Sequence, residues 1–306
     1  MGNTKYAKPL RWGIIGCGAV TEVKSGPPYQ QTRDFQLTAV MRRDEKKAED
    51  YAKRHGVPKF YSKAEDLIAD PEVDAVYIAT PPDTHKHYAL MVAGVGKPCC
   101  VEKPMAPCHA DSLEIFNVFK ERKLPLFVAY YRRSLPRFLK IKEWLDTDKI
   151  GEVRHIRWHL SKPPSTEDLQ KTYNWRTDGE VAPGGYFDDL ASHGLDLFSF
   201  YFGDVEHVYG VSANQQKLYT AKDAIAACWI FKNGVTKIVF SVFNEEEITL
   251  TNENGTTNLF IDHPKHVQQF HVESIREHLL ENREHPSTGR SGLHTSWIMG
   301  KILGQI

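Results

Sequence analysis

Two stretches of this chain place reactive side chains where an ordinary core would place apolar ones. The first is Pro98-Cys99-Cys100-Val101-Glu102-Lys103-Pro104, a short uncharged run between prolines that ends in a Glu-Lys pair. Such a run reads as a strand buried on both faces. In an open parallel α/β sheet, ligands bind in the crevice outside the carboxyl ends of the strands, so Lys103 points at whatever the sheet binds. Pro104 biases Lys103 toward extended backbone. The plain alternative is a surface ion pair, worth only about 0–1 kcal/mol. The second stretch is Gly184-Gly185-Tyr186-Phe187-Asp188-Asp189-Leu190-Ala191-Ser192-His193-Gly194-Leu195-Asp196, which opens a largely apolar helix. Asp189, His193 and Asp196 stand at i, i+4 and i+7, which predicts an acid, an imidazole and an acid on one stripe. A polar stripe on a buried helix must find partners or form a site. Either His193 is satisfied in the core and Asp196 is a structural acceptor, or the stripe works on a ligand. A metal would need a third ligand that this spacing does not supply, so no metal is expected.

Strands and turns must position these groups. Leu10–Ile15 reads as a strand that runs into Gly16-Cys17-Gly18-Ala19-Val20-Thr21. This resembles the dinucleotide fingerprint GxGxxG, whose glycines let the amides at a helix start approach a pyrophosphate. Thr21 occupies the third glycine position, which serves close helix–strand packing. Gly26-Pro27-Pro28 is expected to break the helix early. The next strand, Gln36 to Met41, ends in Arg42-Arg43, near the offset at which the ribose is read. Two arginines offer charge-assisted donors to a 2′-phosphate, which favours NADP(H) over NAD(H). Their other reading is the basic face of the next helix, expected from N-cap Asp44 to His55 with Gly56 as its left-handed stop. Ser62-Lys-Ala-Glu65 looks like a capping box. A buried strand over 74–79 is ended by Thr80-Pro81-Pro82. Helices over about 84–94 and 111–123 and strands over 98–102 and 126–130 complete a doubly wound parallel sheet, residues 1–131.

After Tyr131 the rhythm changes. A helix near 135–145 leads to an alternating strand over 153–160. Further strand-like runs fall near 205–213, 224–232, 235–244, 246–252 and 256–262, with Asn233-Gly234 and Asn254-Gly255 as hairpin signals. Helices near 266–283 and 291–303 close the chain. The expectation is a second, α+β domain over 132–306, built on a large mostly antiparallel sheet with helices on one face. In the 224–244 region Ile225, Ala227, Trp229 and Phe231 alternate, followed by Ile238, Phe240 and Val242. Helices cover one face of such a sheet, so an apolar second face calls for a homodimer or homotetramer through it.

Composition narrows the partners. The 306 residues are 41% hydrophobic and 25% charged, with 39 basic and 39 acidic side chains. That balance offers no global field for nucleic acid or a membrane surface. No signal peptide and no membrane span are read in the sequence, so the expected compartment is the cytoplasm. Five cysteines, an odd number without CxxC spacing, suit reduced core thiols.

Taken in order, Gly16-Cys-Gly18-Ala-Val, Thr80-Pro-Pro with His85, Glu102-Lys-Pro104, Trp175-Arg176 and Gly184-Gly through Asp189 and His193 resemble the Gfo/Idh/MocA oxidoreductases. The resemblance spans nearly the whole chain. It implies a Rossmann domain followed by a domain whose helix packs beside the nicotinamide. It also implies that Lys103, Asp189 and His193 are the catalytic lysine, acid and histidine. Thr80, Pro81, Pro82, His85, Glu102, Trp175 and Arg176 would touch the cofactor. The sequence departs from the pattern at Thr21 and at Ala182-Pro183. Hydride transfer at nicotinamide needs a proton moved at the substrate oxygen, since an alkoxide would otherwise build up in a dry pocket. Either His193 or Lys103 moves that proton while the other steadies the oxygen, and Asp189 anchors a neighbouring hydroxyl. Adjacent hydroxyl-binding groups suggest a sugar, sugar acid or cyclitol, on which Tyr131 and Tyr186 could stack. Two other readings stay open, a lyase or glycosidase that oxidises its sugar transiently, and a sugar-sensing or dinucleotide-sensing regulator without turnover.

Overall fold

The computed structural model describes residues 6–149, 151, 153, 156, 158–231, 247–252 and 255–306. The chain divides into two compact units, one holding the chain up to Tyr131 with Pro264–Leu293 and the other Arg132–His263 with His294–Ile306.

In the first unit, β1 (Leu10–Ile15) leads through α1 (Ala19–Val23) and α2 (Gly26–Gln31) to β2 (Phe35–Met41) and α3 (Glu45–His55). Then come β3 (Lys59–Tyr61), α4 (Ala64–Ala69), β4 (Ala75–Ile78), α5 (His85–Gly94), β5 (Cys99–Val101), α6 (His109–Glu121) and β6 (Leu126–Val128). The strands form one six-stranded sheet in the order β3-β2-β1-β4-β5-β6, and every ladder in it is parallel. Strand order reverses between β1 and β4, the switch point that opens a ligand crevice at the strands' carboxyl ends. Leu67, Val92 and Phe119 cover one face of the sheet together with Ile115. Tyr29 and Tyr51 cover the other, joined there by Val272, Ile275 and Leu279 from the distant helix α10 (Gln269–Glu281). The expected boundary put everything after Tyr131 into the second domain; the chain instead returns to the first unit, because α10 buries an apolar stripe against Trp12 and Phe127.

Local rules account for most of these elements. At α3 the Asp44 carboxylate accepts from the Lys47 amide and Gly56 stops the helix at φ 64°. The capping box at Ser62 does not form; α4 starts at Ala64 with Lys63 at its N-cap and no side-chain cap bond. The helix after the glycine turn does end early, at Val23, and Gly26-Pro27-Pro28 starts the next one, with proline in the first turn of α2, where its missing N–H costs nothing.

The second unit holds α7 (Pro136–Asp146), α8 (Thr166–Leu169) and α9 (Ser192–Phe202). Two antiparallel ladders follow, β7 (Val205–Ala213) with β8 (Ala224–Phe231) and β9 (Ile248–Asn252) with β10 (Gly255–Leu259). The final helix is α11 (Gly289–Leu303). On the inner face of β7–β8, Trp229 stacks on Phe198 and Phe231 packs on Phe202, both residues of α9. At Gly210 a Cβ would come within 2.6 Å of the Ile302 backbone, so α11 closes the same face. The described positions of 153–160 carry no ladder. The expected strand over 235–244 and the Asn233-Gly234 signal lie outside the described residues.

Candidate active site

In the first unit every predicted site residue follows the carboxyl end of a strand. Gly16 leaves β1 at φ 91°, and a Cβ there would sit 2.7 Å from the Thr80 side chain and 2.9 Å from the backbone after β4. The Gly16 and Cys17 amides donate to the Met41 carbonyl, and the Gly18 amide donates to the Thr21 hydroxyl. Ala19 and Val20 supply the first-turn amides of α1, which no intrahelical carbonyl can reach. A Cβ at Gly18 would meet only the Gly16 carbonyl, at an ordinary contact distance of 3.8 Å. Internal packing thus demands glycine at position 16 only; at 18 glycine leaves room for a group from outside, as a pyrophosphate requires. Thr21, in the third glycine position, is fully buried, and its hydroxyl closes the turn onto Gly18. The tight packing expected at that position falls to Gly26, where a Cβ would collide with the Thr21 carbonyl.

Beside this turn the Arg42 guanidinium donates to the Cys17 carbonyl at 3.3 Å, while Arg43 is exposed. Burial pushes the Cys17 thiol up to about 11, so it is no nucleophile. Pro81 is exposed and Pro82 buried in the turn before α5. His85 is fully buried, with Nδ1 3.0 Å from the Pro104 carbonyl and Nε2 2.8 Å from the Thr80 carbonyl. Burial pushes its pKa down, opposed by those two carbonyls. Neutral imidazole has one N–H, so only one of the two contacts is a full hydrogen bond. Glu102 is buried beneath Lys103 and accepts from Tyr77, from Gln268 and from the Lys103 amide. It is therefore no member of a surface ion pair. The Lys103–Pro104 peptide is cis, and Lys103 itself is half-buried. Tyr131 begins the 3₁₀ turn that follows β6.

The second unit holds Trp175, Arg176, Tyr186, Asp189 and His193. Asp189 lies in a single π-helical turn, Phe187–Ala191, which leads into α9. A π turn takes an extra residue, so the i, i+4, i+7 geometry fails across it. Asp189 turns to the Arg176 guanidinium at 2.5 Å, and that guanidinium stacks 4.3 Å from the Trp175 ring. Asp196 goes elsewhere, into a buried pair with Arg133 at 2.7 and 2.8 Å. Removing either partner would strand a buried charge, at about 3–5 kcal/mol. His193 is 5% exposed near the start of α9. The Tyr186 hydroxyl donates to the buried Asp168 and accepts from Asn174. Gly185 holds φ 64°, and a Cβ there would meet the Lys222 carbonyl at 2.5 Å. A cavity of about 1490 Å³ lies in this unit, lined by Trp158, Tyr186, Asp189, Leu195 and Trp229 among others. Among the described residues no group of His, Cys, Asp or Glu is arranged to hold a metal ion, and no helix is long and apolar enough to cross a membrane.

Three contributors had escaped the sequence reading. Tyr77 and Gln268 reach Glu102 from afar in sequence, and no local pattern marks them. Asp188 adjoins Asp189, so the doublet was its only signal.

A glycine turn at the switch point of a doubly wound parallel sheet, uncrowded at Gly18, defines a dinucleotide-binding fold of the Rossmann type. Comparison with known proteins agrees. Residues 10–130 match the oxidoreductase family with an NAD-binding Rossmann fold, and residues 138–251 match the GFO/IDH/MocA C-terminal domain. The chain is 36% identical to Oxidoreductase P35 of Formosa agariphila over 96% of its own length and 98% of that protein's. It is 28% identical to trans-1,2-dihydrobenzene-1,2-diol dehydrogenase of Sus scrofa, over 63% of this chain and 56% of that one. Levoglucosan dehydrogenase, solved with NADH and levoglucosan, has the same fold at a TM-score of 0.80 and 19% identity, covering 96% of each chain. The chain belongs to the Gfo/Idh/MocA oxidoreductases.

Proposed function

We propose that this oxidoreductase moves a hydride between NADP(H), in preference to NAD(H), and a carbon-bound hydroxyl or carbonyl of a sugar, sugar acid or cyclitol. One observation carries the reading: the neighbouring strands β1, β4 and β5 deliver the Gly16–Gly18 turn, Thr80 and Lys103 to the same carboxyl edge of the sheet. Gly18 and the first-turn amides of Ala19 and Val20 would hold the pyrophosphate, and Arg42 the ribose side. Bound there, the nicotinamide supplies or accepts the hydride. Lys103 holds the reacting oxygen and steadies charge on it, and His193 gives or takes its proton. Arg176 fixes the Asp189 carboxylate, which accepts from a neighbouring substrate hydroxyl. That relatives are named for acting on dihydrodiols and levoglucosan supports a hydroxyl-bearing ring as substrate.

The test is a panel of sugars, sugar acids and cyclitols with each dinucleotide, followed by nicotinamide absorbance. Lys103→Ala should slow single-turnover hydride transfer about 10²–10⁴-fold with dinucleotide binding kept. Near wild-type chemistry in that variant would remove Lys103 from the reaction.

The compartment we assign is the cytoplasm, and the assembly a homodimer or homotetramer through the β7–β8 sheet. Its inner face, with Trp229 and Phe231, is the one α9 covers. The outer face exposes Tyr209, Val211 and Ile230, the kind of patch a second copy would bury. Light scattering at micromolar concentration should show an oligomer; a monomer there would refute the assembly.

A further inference from the structure

Lys103 can work only if its backbone is aimed, and the surroundings of Glu102 and Pro104 show how. We propose that Tyr77 and Gln268 are positioning residues for Lys103 that act through Glu102, and that Glu102 and His85 serve this purpose instead of touching the dinucleotide. The proposal rests on Lys103 being the residue that meets the substrate oxygen.

Glu102 is 8% exposed, and both of its oxygens are used inside the first unit. Oε1 accepts from the Tyr77 hydroxyl at 2.6 Å and from the Gln268 amide at 2.7 Å. Oε2 accepts from the Lys103 N–H at 3.1 Å. Three donors converging on one carboxyl group suit an ionised carboxylate, which accepts only. A carboxylate buried without such donors would be costly, so Tyr77 and Gln268 are what allow a negative charge to sit under Lys103. Both donors are rigidly held. Tyr77 is fully buried on β4 and stacks on Tyr29 at 4.9 Å. Gln268 is 2% exposed at the N-cap of α10, and its backbone N–H donates to the Lys24 carbonyl just beyond α1. On the far side of Lys103, the Pro104 carbonyl lies 3.0 Å from Nδ1 of the buried His85 ring, whose other nitrogen faces the Thr80 carbonyl. The residues before and after Lys103 are thus fixed from β4, α5 and α10, while Lys103 alone stays half-buried. With its carboxylate oxygens committed to protein donors, Glu102 has little left for a ligand, and His85 has both ring nitrogens turned to carbonyls.

The test takes the full chain with the best substrate of the panel and reads two quantities, the single-turnover rate of hydride transfer and the Kd of the reduced dinucleotide from its fluorescence. Tyr77→Phe and Gln268→Met keep volume and remove one donor each. Each should slow transfer about tenfold while the Kd stays within about twofold. Gln268→Glu keeps the shape but sets a second carboxylate against Glu102, and should be at least as slow as Gln268→Met; a pure packing role would make these two indifferent to charge. If the donor variants transfer hydride within about twofold of wild type while Lys103→Ala is inactive, the positioning role is wrong and Lys103 keeps its own. Parallel loss of rate and dinucleotide affinity would also overturn it, as a general loosening of the fold. Activity retained in Lys103→Ala would instead sink the reading of Lys103 itself.

Discussion

Arg42 shows how a single side chain is committed by its surroundings. Its guanidinium donates to the Cys17 carbonyl inside the glycine turn, so it stands beside the loop that would carry the pyrophosphate. Arg43, next to it, is exposed just before the solvated start of α3. The two arginines therefore differ in worth. Arg42→Ala should weaken NADP(H) about tenfold or more relative to NAD(H), because only the 2′-phosphate loses a charge-assisted contact of about 1.5–3 kcal/mol. Arg43→Ala should do less. Dinucleotide titrations of both variants check this, and equal losses for the two cofactors in Arg42→Ala would refute the assignment.

At the scale of the element, the π turn decides where the acids of the second unit go. Asp188 is buried inside it, with Oδ2 accepting from the Gly184 amide at 2.8 Å, and Oδ1 has no hydrogen-bond partner among the described residues. Burial pushes this carboxyl up to about 7, opposed by the Gly184 amide and helped by the charge of Asp189. The unfolded chain releases its proton near pH 4, so between about pH 4 and 7 the folded state binds one proton more than the unfolded state. Stability then falls as pH rises through that window, by as much as roughly 4 kcal/mol at about 1.4 kcal/mol per pK unit. Asp188→Asn keeps an acceptor for Gly184 and cannot ionise. Urea unfolding at pH 5 and pH 8 should show wild type losing stability between the two and the variant losing much less; matching losses would exclude Asp188 as the cause.

For the molecule as a whole, the return of the chain to its first unit matters most. Val272, Ile275, Leu279 and Leu280 of α10 complete the core cluster around Trp12, Tyr29 and Phe127, and the Ser287 hydroxyl donates to the Val128 carbonyl at 2.8 Å. A fragment ending at Tyr131 leaves that apolar face in water. It should lack a cooperative thermal transition and bind a hydrophobic dye, whereas the same fragment joined by a flexible linker to residues 264–293 should melt cooperatively. Equal cooperativity in the two fragments would show that α10 is dispensable to the sheet.

By itself the sequence determined what is local. Strand and helix alternation, the Asp44 and Gly56 caps, the glycine turn and the Glu102-Lys103 strand end are all settled within a few residues, by periodicity, capping and backbone freedom. Edge strand β3 was not legible, since Lys59–Tyr61 is three residues long and only partly buried. The acid stripe was misread for a related reason: spacing presumes an α-helix, and the π turn that moves Asp189 toward Arg176 has no signature in residue types. Only the tertiary structure decided that Asp196 belongs to Arg133, that Glu102 is a buried acceptor for Tyr77 and Gln268, and that α10 packs on the first sheet. Gln268 is 166 positions from Glu102. Which distant donor reaches a buried carboxylate depends on how elements pack, and packing is set by the sum of many apolar contacts that no single stretch of sequence contains.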